Sequence, residues 1–227
     1  MDLVKQTVFV SLFAQILTTI IGSIALLKDL RYEDQVLDEI LGLEVLVQLI
    51  EALFYVWFAF FFTKNMTRVD IAKFRYYDWV FTTPMMLLST AVFFAYQAGK
   101  QLGKPIYSVR GFFQKHGQDF GLMVVYNFLM LLFGYLHEIN LLSLFTSNTI
   151  GFVFFGLAFY KLYEFARMSP ENMPVFWVMF TLWALYGVAA MYKNVLKNTA
   201  YNILDIFSKN FYGVYLAWVI WNAPSVV

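Results

Sequence analysis

The chain has 227 residues, of which 61% are hydrophobic, 21% aromatic and 14% charged, against about 25% charged in an ordinary soluble domain. So little charge cannot cover a water-facing surface, and lipid is the expected solvent. The net charge of +1 supplies no field for nucleic acid, and the absence of cysteine excludes disulfides and thiolate metal sites.

A bilayer crossing needs roughly 20 predominantly apolar residues. Seven such stretches fit, at 4–27, 36–62, 74–97, 120–138, 143–166, 172–192 and 196–221. The predicted fold is an all-α membrane protein, a seven-transmembrane-helix bundle forming one compact domain over 1–227. The opening MDLVKQTVFVSLF has no small-residue cleavage site after a short apolar core, so it reads as the first span and not as a removable signal. Polar connectors separate the spans: KDLRYEDQ, TKNMTRVD and RMSPEN. The longest, GKQLGKPIYSVRGFFQKHG, is expected between the third and fourth spans with Lys100, Lys104, Arg110 and Lys115.

Polar residues recur inside the spans at helical spacing, taken at about 100° per residue. The first span carries Thr7, Ser11, Gln15 and Thr18 on one face, and the second carries Glu44, Gln48, Glu51 and Tyr55. The third has Arg75, Asp78, Thr82 and Ser89, and the seventh has Asn194, Asn198, Asn202, Asp205 and Lys209. Lipid cannot satisfy such stripes, so they must face one another or a water-filled cavity. In the first span, Ser, Thr and Gln alone read as interhelical glue. Two carboxylates on the second span are a poor glue, because a charge at mid-membrane costs about 2.5–3.5 kcal/mol on insertion scales. Lys209, taken alone, also reads as half of a buried ion pair with Asp205.

Two strings are specific. RYYDWVFTTPMMLLS, from Arg75 to Ser89, resembles the third-helix signature of the microbial (type 1) rhodopsins, and DIFSK, from Asp205 to Lys209, resembles their retinal-binding helix. Trp183 and Tyr186 in WALY, and LMLLFGYL on the fourth span, are similar to the matching family positions. The resemblance implies retinal, all-trans in the dark, bound covalently on Lys209 as a protonated Schiff base. Asp78 and Asp205 match the counterions, and Arg75, one turn outward of Asp78, is expected to help keep both ionised. Trp79, Thr82, Thr83, Met86, Met130, Gly134, Trp183 and Tyr186 match the retinal pocket. Gly187 stands where the family usually has proline and Ala190 where an aromatic often sits, so another side chain is expected to fill that room.

A proton pump of this family carries an inner carboxylate, where this chain has Ser89, and serine is neutral at every working pH. Glu44 and Glu51 lie about 10 Å apart along one face at 1.5 Å per residue. With Ser11, Gln15, Ser89, Asn194, Asn198 and Asn202 they form a candidate ion pathway, since carboxylates lining a pore select cations. The pattern resembles the first group of viral rhodopsins, which implies a light-gated channel for monovalent cations. The alternatives are an outward proton pump and a photosensor signalling through a membrane partner. An enzyme is not expected, since no nucleophile–base pair is found. The expected partners are the lipid bilayer and monovalent cations or protons, and a homo-oligomer is compatible with the sequence. Positive charges divide eight against seven between the two sides, so the orientation, amino terminus outside and carboxy terminus cytoplasmic, rests on the resemblance.

Overall fold

The computed structural model describes residues 3–61 and 71–226. The end of the second predicted span at residue 62, with Lys64 and Arg68 of the following connector, lies outside the described residues.

Among the described residues, the helices run α1 (Leu3–Ala25), α2 (Val36–Phe61), α3 (Ala72–Gln101), α4 (Val109–Glu138), α5 (Leu144–Ala166) and α6 (Met173–Ala189). The seventh crossing is α7 (Asn194–Asp205), a π-helical turn (Ile206–Asn210) and α8 (Phe211–Asn222), joined without a break. α1 to α6 are each long and apolar enough to cross a membrane. The chain is thus an integral membrane protein, an all-α bundle as predicted.

Helix ends follow local chemistry. Ser108 and Ser143 accept hydrogen bonds from the N–H groups of Gly111 and Thr146, satisfying donors at the starts of α4 and α5. Gly103 (φ 66°) follows α3 and Asn140 (φ 62°) follows α4 in left-handed conformations that end a helix cheaply at these residue types. α3 passes through Pro84, which leaves the Val80 carbonyl without its usual donor.

The fourth span departs from expectation. Its helix begins at Val109 and not near 120, so Arg110 and Lys115 lie on α4, Lys100 lies on α3, and the connector is short. The Ser108 cap nucleates the extra turns, and Phe112 anchors them by packing, fully buried, against Phe165 at 5.4 Å between ring centroids. The predicted polar connector looked like a loop because its charged residues Arg110 and Lys115 stay exposed on the helix.

Large apolar side chains such as Phe13, Phe81, Phe145 and Trp218 point away from the bundle, which suits a lipid surface. The four polar stripes turn inward: Ser11, Gln15, Gln48, Thr82, Ser89 and Asn202 are all buried. One end of the bundle holds the start of α7. At the other, Lys28 donates to the Ile220, Trp221 and Ala223 carbonyls at the end of α8. There Asp34 accepts from Lys100 at 2.7 Å and from the Tyr96 hydroxyl. These are called the Asn194 end and the Asp34 end below.

Candidate functional site

Lys209 is buried at the bundle centre, inside the π-helical turn. Such turns disturb the i→i−4 ladder and often mark functional positions. Its Nζ lies 2.7 Å from Glu51 Oε1, 3.0 Å from Asp78 Oδ2 and 3.7 Å from Asp205 Oδ1. The expected pair of carboxylates is therefore a trio, with Glu51 of α2 as its nearest member. The sequence pattern assigned Glu51 only to the ion pathway.

Arg75 is also buried, and it serves Asp205 more than Asp78. Its Nη1 lies 3.2 Å from Asp205 Oδ2, and its guanidinium also donates to Tyr55, Asn198 and Asn202. Asp205 is clamped further by hydroxyls, accepting from Tyr55 at 2.6 Å and from Tyr186 at 2.7 Å. Of the two aspartates, Arg75 is in ion-pair contact with Asp205. A long side chain on α3 reaches past its own helix neighbour to the facing helix.

Two cations, Lys209 and Arg75, thus face three carboxylates. Were all three ionised, the cluster would carry one excess negative charge in a low-dielectric interior, a costly state without compensation. It has room for one further proton or one monovalent cation.

From Lys209 a mostly apolar cavity runs between α3, α4, α5, α6 and the seventh crossing. Trp79, Thr83, Met86, Met130, Gly134, Trp183 and Tyr186, the residues matched to the retinal pocket, line it. Thr82 does not. Its hydroxyl donates to the Asp78 carbonyl at 3.1 Å, and one residue of helix turns it about 100° from Thr83 onto the polar stripe of α3. The room beside Gly187 is taken by Phe152, whose ring stands 2.5 Å from where a Cβ at Gly187 would be, and Ala190 lines the same cavity. Tyr76 lies equally close to the Cβ position of Gly134.

Sequence reasoning missed several neighbours. Asn127 donates to Thr83 at 2.8 Å, Ser208 shares the Tyr186 hydroxyl at 2.8 Å, and Tyr201 packs edge-on to Trp79 and stacks on Tyr186. Asn127 and Ser208 are single polar residues with no periodic partner, so no stripe announced them.

The residues of the candidate pathway lie around the same centre. Towards the Asn194 end, Asn198 and Asn202 are buried beside Arg75, and Ser11 donates to the Asn202 carbonyl at 2.6 Å. Asn194 itself is exposed at the start of α7, where its carbonyl accepts from the Asn198 amide, so it stands at the rim. Towards the Asp34 end, Ser89 donates to Glu44. Among the described residues, buried atoms without a hydrogen-bond partner include both amide atoms of Gln15 and, along α2, Glu51 Oε2, Gln48 Oε1 and Glu44 Oε2.

Comparisons with known proteins identify the fold and the family. Viral rhodopsin OLPVRII, in its crystal structure, superimposes with a TM-score of 0.80 at 30% identity, covering 96% of this chain and 97% of that one. The blue light-absorbing proteorhodopsin from Med12 (TM-score 0.71, 15% identity, 97% and 98% covered) shares the fold. So does the light-driven proton pump LR (Mac) from Leptosphaeria maculans (TM-score 0.71, 16% identity, 98% and 97% covered). This is the seven-helix fold of the microbial rhodopsins. A family model described as bacteriorhodopsin-like protein matches residues 6–223, and the chain belongs to that family. A search of curated protein sequences found no match.

The family implies retinal, bound through a Schiff base to a lysine. The residues present fit it. A single buried amine closes one end of a long apolar slot, carboxylates surround that amine, and aromatic and methionine side chains wall the slot.

Proposed function

We propose that the chain is a retinal-binding photoreceptor in which Lys209 carries the chromophore, all-trans in the dark and protonated at its nitrogen. It acts as a light-gated channel for monovalent cations, with the amino terminus outside. Retinal supplies light absorption and a change of shape and charge position when it isomerises. The chain's own residues do the rest. Glu51, Asp78 and Asp205 hold a positive charge at Lys209, and Arg75, Tyr55 and Tyr186 hold Asp205 in place. Trp79, Trp183 and Met86 fix the slot and exclude water from it.

The observation that carries the channel reading is the row of buried polar atoms on α2, from the lysine towards the Asp34 end, that have no partner among the described residues: Glu51 Oε2, Gln48 Oε1 and Glu44 Oε2. Orphaned polar atoms are expensive away from water. A structural seam would pair them, whereas a path for hydrated cations leaves them free to replace hydration. Beyond Glu44 the way is shut by Leu37, Ile40 and Leu41, which pack in one buried apolar cluster with Leu216 and Ile220. That suits a channel closed in the dark.

A second reading, an outward proton pump, draws on one contact. Ser89 donates to Glu44, so a carboxylate from α2 stands beside the position where a pump carries one on α3. Whole-cell recording separates the two. A channel gives a photocurrent that reverses with the imposed cation gradient, and a pump gives one that stays outward at every voltage.

A further inference from the structure

Gln48 sits between the two carboxylates of α2, four residues after Glu44 and three before Glu51, and is buried like both. Facing it on α8 is Gly213, also buried and one helical turn beyond Lys209. The Gln48 amide nitrogen occupies the very space that a Cβ at position 213 would fill. The amide carbon lies 3.2 Å and the amide oxygen 3.8 Å from that Cβ position. A Cβ at 213 would force the amide aside, so glycine permits this close approach, whatever the backbone conformation. The wedged amide still has work to do, because its Oε1 has no hydrogen-bond partner although Gln48 is 1% exposed.

We infer that the Gln48 amide, wedged against the Gly213 backbone, is the barrier between the Glu51 and Glu44 compartments of the pathway, and that helix movement at Lys209 opens it. This rests on the channel reading. The path cannot pass from Glu51 to Glu44 without passing Gln48, since the three share one face of α2 and are spaced by about one turn each. The other wall is α8, whose first turns follow the π-helical turn that carries Lys209. A π turn is a single-turn irregularity that can change helical phase locally. A small rotation there would swing Gly213 away from Gln48 while Glu51 stays at the amine. Once withdrawn, the orphan Oε1 becomes an oxygen ligand for a passing cation between two carboxylates, which places cation selection at this residue.

The test is a double-mutant cycle read by photocurrent per amount of visible pigment. Three variants are compared with the parent chain, all reconstituted with retinal: Gln48→Ala, Gly213→Ala and the two combined. The expected result is that Gln48→Ala enlarges the current and shifts its reversal potential between sodium and potassium solutions. Gly213→Ala is expected to lose current, and the combination to regain it because the new methyl then enters the space the amide vacated. If Gly213→Ala forms no pigment, recovery of both pigment and current in the combination supports the wedge, and failure to recover overturns it. Unchanged current and reversal potential in Gln48→Ala, with a conducting parent, also overturns the wedge and leaves the channel intact. A parent chain whose current never reverses removes the channel and the wedge together.

Discussion

Glu51 Oε1 stands 2.7 Å from Lys209 Nζ, closer than Asp78 at 3.0 Å or Asp205 at 3.7 Å. Under the proposed function, the residue that faces the pathway would also be the nearest anion to the nitrogen that carries retinal, so colour and conductance would share a group. Glu51→Gln is expected to shift the visible band to longer wavelength. A negative charge at the nitrogen stabilises the ground state, whose positive charge sits there, more than the excited state. The same change should lower the photocurrent. An unmoved band would remove Glu51 from the counterion cluster, and unchanged current would remove it from the pathway.

Lys209→Ala removes the amine that three carboxylates share, leaving only Arg75 among them. No visible band should form with added retinal. The retinal-free protein should lose stability as well, by about 3–5 kcal/mol, the usual effect of removing one partner of a buried ion pair. Adding the Glu51→Gln change should recover part of that loss, read as a higher unfolding temperature in detergent. A surviving visible band would place the chromophore on another residue.

Much of this was legible in the sequence because membrane spans leave few places for polar residues. The string from Arg75 to Ser89 fixed the helix that carries Asp78, and Asp205 with Lys209 fixed its partner. What escaped depended on directions between helices. Angular spacing along one helix placed Arg75 near Asp78, but its reach decides that it binds Asp205. The π turn at Ile206–Asn210 was invisible because regular 3.6-residue spacing was assumed across it. Gln48 was seen on its stripe, but only the facing helix reveals how closely its amide approaches Gly213.

The slot beside Gly187 makes a separate prediction. A Cβ at that position would stand 2.5 Å from the Phe152 ring, and Phe152 lines the cavity. Gly187→Ala should push that ring into the slot, with an overpacking cost of about 1–3 kcal/mol. Pigment should form more slowly from added retinal, and Phe152→Leu combined with it should restore the rate. Equal rates in all three proteins would mean that the ring has free room elsewhere.

Glu44 distinguishes channel from pump without a change at Lys209. It is buried, its Oε1 accepts from Ser89, and its Oε2 has no partner. It also lies about 10 Å from Glu51 along α2, too far to tune the chromophore by contact. Glu44→Gln should therefore leave the absorption band in place under either reading. In a channel, removing this charge lowers cation current and weakens discrimination against anions, while recovery of the dark band after a flash is little affected. In a pump that draws its returning proton from Glu44, current falls because recovery of the dark band slows, and the slowing deepens as pH rises and protons become scarce. Flash spectroscopy and photocurrent on the same preparation read both quantities, and slowed recovery without loss of selectivity would overturn the channel assignment of this residue.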